Sequence, residues 1–181
     1  MQSRLLDFLN KHKILAREQY GFQKNKSTEL AIFDLVHSTT YNVSNKIHNT
    51  LLFFDMSSAF DYVNHNILLD KLNRNGIRGT AHDWLKNYLH NRYQRVEITA
   101  INTKNTVTSF RSQYKHNARG VPQGSILGPL LFLLYINDLP RATEHKCVLF
   151  ADDISVSITS KDKENHNDII NNTIHIIKST L

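Results

Sequence analysis

Two hydrophobic runs that each stop on aspartate, Leu51-Leu52-Phe53-Phe54-Asp55 and Leu149-Phe150-Ala151-Asp152-Asp153, constrain this chain more than any other feature. A buried strand that ends on a carboxylate presents it at the rim of a sheet, and two such strands side by side would gather three carboxylates within a few ångströms. Anionic groups that close repel one another. They stay ionised together only with cations between them, and hard divalent cations such as Mg²⁺ prefer oxygen ligands. The pattern predicts a metal site made by Asp55, Asp152 and Asp153. Paired Mg²⁺ ions about 4 Å apart clamp the attacking and leaving oxygens in phosphoryl transfer, so nucleotidyl transfer is the first chemistry to consider. Asp152-Asp153 taken alone also reads as ordinary turn chemistry, because aspartate tolerates turn conformations well. The second strand, ending on Asp55, is what argues against that reading.

The remaining composition narrows the class. A chain of 181 residues is long enough for one domain with a sizeable core, or one domain with a smaller companion. Its formal net charge of +6 suits a polyanionic partner, although many basic domains never touch nucleic acid. The single cysteine, Cys147, excludes an internal disulfide and sits in an apolar strand, which reads as core. Ten histidines come without zinc-ligand spacing. With no secretory leader pattern and no apolar run long enough to span a bilayer, the expectation is a soluble, intracellular protein with no membrane partner.

Periodicity orders the elements. Leu5, Leu6, Phe8, Leu9 and Ile14 predict a short helix over residues 3–15, ended by Gly21. Ser27 caps a second helix with Glu29 in its first turn and Leu30, Phe33, Val36 and Thr40 on one face, ending near Asn45. A strand from Thr50 to Met56 follows, then a turn through Ser57 and Ser58, a helix from about Asn64 to Asn75 and another from Thr80 to Leu89. Residues 93–119 read as strands with a turn at Asn102 to Asn105. The loop Gly120-Val-Pro-Gln-Gly124 leads into a buried helix, Ser125 to Leu139, with Pro129 near its start. Lys146 to Phe150 and Ile154 to Ile158 form a hairpin with the acidic pair at its turn, and a last helix runs from Asp162 to Leu181. This order predicts a mixed α+β sheet with helices packed on one face. The two acidic strands become neighbours only if the stretch between them folds out as an inserted subdomain and returns.

Three strings then match a known family in order and spacing. Phe54-Asp55-Met-Ser-Ser-Ala-Phe60-Asp61, Gly120-Val-Pro-Gln-Gly-Ser-Ile-Leu-Gly-Pro129 and Phe150-Ala-Asp-Asp153 resemble motifs A, B and C of reverse transcriptases. The flanks Tyr20-Gly-Phe-Gln-Lys-Asn-Lys-Ser-Thr28 and Leu130 to Pro140 are similar to the non-LTR retrotransposon branch, most closely its jockey-like members. The resemblance covers nearly the whole chain.

The resemblance implies the fingers and palm of a right-hand polymerase with a ferredoxin-like palm sheet. Residues 1–48 would be partial fingers, 49–66 palm with motif A, 67–116 a fingers/palm insertion and 117–181 palm with motifs B and C. Further fingers motifs would precede residue 1, and the rest of the palm and a thumb would follow Leu181. It implies Asp55, Asp152 and Asp153 as catalytic residues and ligands of two Mg²⁺ ions, with Mn²⁺ as a substitute. The backbone of Met56, Ser57, Ser58 and Ala59 would cradle the triphosphate. Phe60 would close against the sugar and exclude a 2′-hydroxyl, making the substrate a deoxynucleoside triphosphate; as a residue it reads equally as a core aromatic at a helix start. Gln123 and Gly124 would lie against the nascent base pair, or simply connect to the buried helix.

Many relatives place arginine where this chain has Gln23, so Lys24 or Lys26 would have to supply charge to the triphosphate, unless each is only a surface lysine. The bases from Lys71 to Lys115, interleaved with Trp84, Tyr88, Tyr93 and Tyr114, either track an RNA template and DNA primer or form solvated faces. The function so implied is RNA-directed DNA polymerisation. Its competitor is a non-catalytic remnant that folds as a palm and at most binds nucleic acid. A host-adapted enzyme such as a telomerase or an intron maturase is a further reading, whose own segments are not visible in this chain.

Overall fold

The computed structural model describes residues 1–101, 105, 107–161 and 165–180, and the chain divides into two compact units, Met1–Phe60 with Pro122–Leu181, and Asp61–Val121. Most of the turn expected at Asn102 to Asn105 lies outside the described residues, as do Asp162 and Leu181 at the two ends of the expected last helix.

In the first unit, α1 (Gln2–Lys11) buries Leu5 and Leu9. Helix α2 (Thr28–Ser44) starts where the sequence places it: the Ser27 hydroxyl accepts the Leu30 N–H at 3.3 Å, and Glu29 stands in the first turn, where the helix dipole favours an anion. Its orientation differs from the periodicity. Phe33 and Val36 remain 66% and 56% exposed, and Ala31 is the helix's buried residue. The inward side instead carries Asp34, whose carboxylate takes the Lys146 ammonium at 2.7 Å and the Tyr20 hydroxyl at 3.1 Å.

Strands β1 (His48–Phe54), β6 (Lys146–Phe150) and β7 (Asp153–Ser160) make an antiparallel sheet in the order β1-β7-β6. Register puts Leu52 opposite Val156, Phe54 opposite Ile154 and Cys147 opposite Val156, so one face is a row of apolar side chains. Helix α7 (His166–Thr180) covers this face with Ile169, Ile170 and Ile177, and Leu139 completes the core. The alternate residues Asn49, Ser157 and Thr159 give the other face a polar end, and α2 runs along it beside Ser157 and Thr159. Asp34 finds its ion-pair partner on this side, where a partly buried carboxylate needs one.

Helix α6 (Gly128–Tyr135) is shorter than the expected Ser125 to Leu139. The Ser125 hydroxyl donates to the Pro122 carbonyl at 2.6 Å and accepts the Gly128 N–H at 3.0 Å, closing a turn where a helical start was expected. Beyond the helix a single 3₁₀ turn holds Leu139–Arg141. Five successive residues, Leu130 to Leu134, are buried, as befits a helix that is apolar all round. Asn137 ties the following corner to the chain near α1, accepting the Ala16 N–H at 2.7 Å and donating to the Ile14 carbonyl at 2.8 Å.

The second unit begins within α3 (Ala59–Tyr62), a single helical turn that the sequence reading leaves as loop. Helix α4 (His65–Arg74), capped by the Asn64 side chain, packs on α5 (Gly79–Leu89) through Leu68, Leu69, Leu72, Leu85 and Leu89. Two short pairings complete it: β2 (Arg92–Gln94) with β5 (Lys115–Asn117), and the hairpin of β3 (Glu97–Ile101) with β4 (Val107–Arg111). Every residue of β3 and β4 is exposed, so this unit's core lies in its helices.

Candidate active site

Register brings the carboxylates to one rim. The β1–β7 ladder closes with Phe54 opposite Ile154, so the next residues outward are Asp55 and Asp153. Phe150 pairs with Asp153 across the hairpin, leaving Ala151 and Asp152 as its two-residue turn. Asp55 and Asp153 are exposed and Asp152 is half-buried. The side chains do not close further: among the described residues no three His, Cys, Asp or Glu groups converge on a common point as a metal cage. Register sets Asp55 and Asp153 at neighbouring strand ends with Asp152 in the adjoining turn, while their side chains do not converge. Like charges gain by turning toward water, and exposed side chains are free to do so. As a donor set, three carboxylates on adjoining strand ends still suit a hard divalent cation.

Asp152 also borders a cleft of about 390 Å³. Ser58, Ala59, Phe60, Gln123 and Gly124, all singled out from the sequence, line it together with Phe22, Pro122 and Pro129. The Phe60 ring stacks on Phe132 of α6, centroids 4.5 Å apart, and meets the edge of Phe22 at 6.2 Å. Gly124 has φ +75°, a backbone region that a side chain would strain.

In the segment after Asp55, one of the amides expected to cradle phosphate is engaged locally. Met56 turns its side chain into the core beneath the sheet. The Ala59 N–H is already donated to the Met56 carbonyl at 3.1 Å, so this amide closes a local turn instead of facing a ligand. Ser57 and Ser58 remain exposed, with Ser58 at φ +55°.

The two lysines separate. Lys24 is exposed. Lys26 reaches back across its own segment, donating to the Arg17 carbonyl and, at 2.8 Å, to the Gln19 carbonyl, with its ammonium 4.7 Å from the Tyr20 ring centroid. Burial lowers its pKa from the ordinary lysine value. Those bonds hold a loop together, and they occupy donors that a triphosphate contact would need. Gln23 likewise bonds the Gln19 carbonyl at 2.9 Å.

Two participants escape the sequence reading. Phe22 looks like a residue after a helix-breaking glycine, yet it is 57% exposed and lines the cleft. Gln19 carries no motif signal, yet it is buried against the aspartate turn. An exposed aromatic beside a glycine is a signal for the first; nothing local signals the second.

In the second unit, Trp84 and Tyr88 stack at 5.5 Å, the Arg92 guanidinium lies 5.5 Å from the Tyr88 ring, and Arg95 lies 4.9 Å from Tyr114. These pairs form an exposed basic and aromatic surface.

Comparison with known proteins fits this architecture. The family model described as "Reverse transcriptase (RNA-dependent DNA polymerase)" matches residues 1–180. Curated relatives from Drosophila melanogaster include the probable RNA-directed DNA polymerase from transposon BS, 31% identical over 87% of this chain, and the RNA-directed DNA polymerase from mobile element jockey, 30% identical over 88%. The chain spans 17% of the length of each of these relatives. Among solved structures, the apo telomerase from Candida tropicalis truncated from its C-terminal domain is similar over 99% of this chain and 35% of its own, with a TM-score of 0.56 and 16% identity. A telomerase from Candida albicans with a fragment of telomeric RNA is similar over 94% of this chain and 30% of its own, with a TM-score of 0.50 and 14% identity. The chain belongs to the reverse transcriptase family, on the side of the non-LTR mobile elements, and it has the α+β fingers-and-palm fold. No helix among the described residues is long and apolar enough to cross a membrane.

Proposed function

We propose that this chain carries the nucleotidyl-transfer site of an RNA-directed DNA polymerase, which adds deoxynucleoside triphosphates to the 3′-hydroxyl of a DNA primer on an RNA template. The observation that carries the reading is the strand register, which sets Asp55 and Asp153 on neighbouring strand ends with Asp152 in the adjoining turn. Asp55 and Asp152 are the main ligands of two Mg²⁺ ions, with Mn²⁺ as a substitute, and Asp153 adds negative field beside them. Metal held there would lower the pKa of the primer hydroxyl and offset the charge of the triphosphate, favouring attack at the α-phosphorus with pyrophosphate as leaving group.

The chain's own groups select and orient the nucleotide. Phe60, braced by Phe132 and Phe22, stands where a 2′-hydroxyl would meet its ring. Gln123 and Gly124 border the same cleft and offer an amide and a bare backbone to the base pair. With Lys26 engaged by carbonyls, Lys24 is the lysine that this segment has left for the triphosphate. Residues 1–48 belong to the fingers, and 49–66 and 117–181 to the palm. The basic and aromatic surface of the second unit follows the template and primer backbone.

Primer extension tests the reading. With Mg²⁺ and dNTPs the chain is expected to extend a DNA primer on RNA, and Asp152→Asn to abolish extension by removing a metal ligand. Extension that survives Asp152→Asn overturns the proposed site. Because the chain spans 17% of its relatives, a second outcome has a specific meaning: binding of the RNA–DNA hybrid without extension favours a non-catalytic palm.

A further inference from the structure

We propose that Gln19 is the positioning residue for the aspartate turn: its side-chain amide grips both backbone groups of Ala151 and so sets where Asp152 and Asp153 stand. The proposal rests on the reading of those aspartates as metal ligands.

Gln19 is 3% exposed, and its amide makes three hydrogen bonds. Its Oε1 accepts the Ala151 N–H at 2.9 Å and the Gly21 N–H at 2.7 Å, and its Nε2 donates to the Ala151 carbonyl at 3.3 Å. Ala151 holds φ +55°, the left-handed region that a residue with a Cβ rarely adopts. Two-residue hairpin turns commonly take this region at their first residue, but an alanine there carries a cost that glycine or asparagine would not, and the Gln19 amide occupies both polar groups of that residue.

The flanking backbone holds Gln19 in place. The Leu149 N–H donates to the Glu18 carbonyl at 2.8 Å and the Tyr20 N–H to the Leu149 carbonyl at 2.7 Å, so residues 18–20 lie as a parallel bridge along the free edge of β6. The Gln19 carbonyl in turn takes Lys26 and Gln23. Two side chains, Lys26 and Gln23, thus converge on the carbonyl of the residue whose amide holds the turn.

The chemistry narrows the residue type. The contact needs an oxygen accepting twice and a nitrogen donating once. Glutamate keeps the length and the oxygen but cannot donate to Ala151; methionine keeps the shape and loses every bond; asparagine falls a methylene short. Groups that orient metal ligands from behind typically change metal affinity or activity by about 10- to 100-fold when removed.

The test compares the wild-type chain with Gln19→Met and Gln19→Glu by two measurements that need no polymerase activity: amide exchange at Ala151 to Asp153, and Mn²⁺ affinity by electron paramagnetic resonance. Faster exchange confined to the turn, with β6 and β7 protected as before and Mn²⁺ bound about tenfold more weakly, is the expected result. Unchanged exchange and unchanged Mn²⁺ affinity in a folded Gln19→Met chain overturn the proposal. Gln19→Glu serves as a second variant if Gln19→Met does not fold: it keeps an oxygen for the Ala151 and Gly21 N–H groups but puts an acceptor where Nε2 donated to the Ala151 carbonyl; there too, unchanged Mn²⁺ affinity overturns the proposal. Asp152→Asn separates this inference from the one beneath it. If that substitution leaves Mn²⁺ affinity intact, the metal reading fails and the role falls with it. If Asp152→Asn weakens Mn²⁺ while Gln19→Met does not, the clamp alone fails.

Discussion

At the scale of single residues, Phe60 shows how far a local pattern reaches. Its place five residues after Asp55 singles it out in the sequence, but its stack on Phe132 and its edge contact with Phe22 come from segments far along the chain. Those two rings pack against Phe60, and a steric gate needs such bracing. Phe60→Val is expected to lower discrimination between dNTP and rNTP by on the order of 10- to 100-fold in primer extension, with unchanged discrimination ruling the gate out. Cys147 gives a second residue-scale prediction. Burial, aided by the negative charge of Glu18, pushes its thiol up to about 11. Iodoacetamide at pH 8 should leave the folded chain unlabelled and modify it once denatured. Because the folded pKa is raised, this residue costs no stability below the unfolded thiol's pKa. Stability is lost as pH rises beyond that value toward about 11, where the unfolded chain alone ionises. Labelling of the native chain at pH 8 would contradict the buried environment.

At the scale of elements, the sequence located helices more reliably than it oriented them. The Ser27 cap and Glu29 mark the start of α2 because capping is a contact within a few residues, already written in the local order. Which side of α2 faces inward depends on the sheet it meets, and that sheet face is polar at Asn49, Ser157 and Thr159. Hence Asp34 points inward. Burial raises its carboxyl, but the Lys146 ammonium and the Tyr20 hydroxyl outweigh burial and hold it below the usual carboxylate value. Its contribution is present above the unfolded carboxyl's pKa and fades as pH falls through the lower folded value. A Cβ at Gly21 would stand 2.3 Å from the Ala151 nitrogen and 2.9 Å from its Cα, and backbone atoms cannot yield as a side-chain tip would. Gly21→Ala is therefore expected to cost about 3 kcal/mol in urea unfolding, the upper range for overpacking. A loss below about 0.5 kcal/mol, typical of surface changes, would show that the contact relaxes.

At the scale of the whole molecule, the chain leaves its sheet after β1, builds the unit Asp61–Val121 and returns to pair β7 with β1. The basic and aromatic surface of that inserted unit belongs to the proposed hybrid-binding role. Replacing Arg92 and Arg95 together by glutamine is expected to weaken binding of an RNA–DNA hybrid uniformly across sequences and to lower the salt slope of log K by about 2, one for each lost phosphate contact. An unchanged slope would mean that these arginines serve only their Tyr88 and Tyr114 partners. The apolar runs that become β1, β6 and β7, the cap of α2, and the aspartates, Phe60, Gln123 and Gly124 of the proposed site are all legible in the amino-acid order. Each is encoded within a few neighbouring residues, where periodicity, capping and turn chemistry act. Tertiary structure alone decided that the aspartates share one rim without converging as a cage, that Lys26 spends its charge on its own loop, that α2 turns its apolar side outward, and that Gln19 grips the Ala151 turn from 132 positions away. The reason is physical: a hydrogen bond or a burial between distant segments depends on which surfaces meet, and neighbouring residues alone do not specify that.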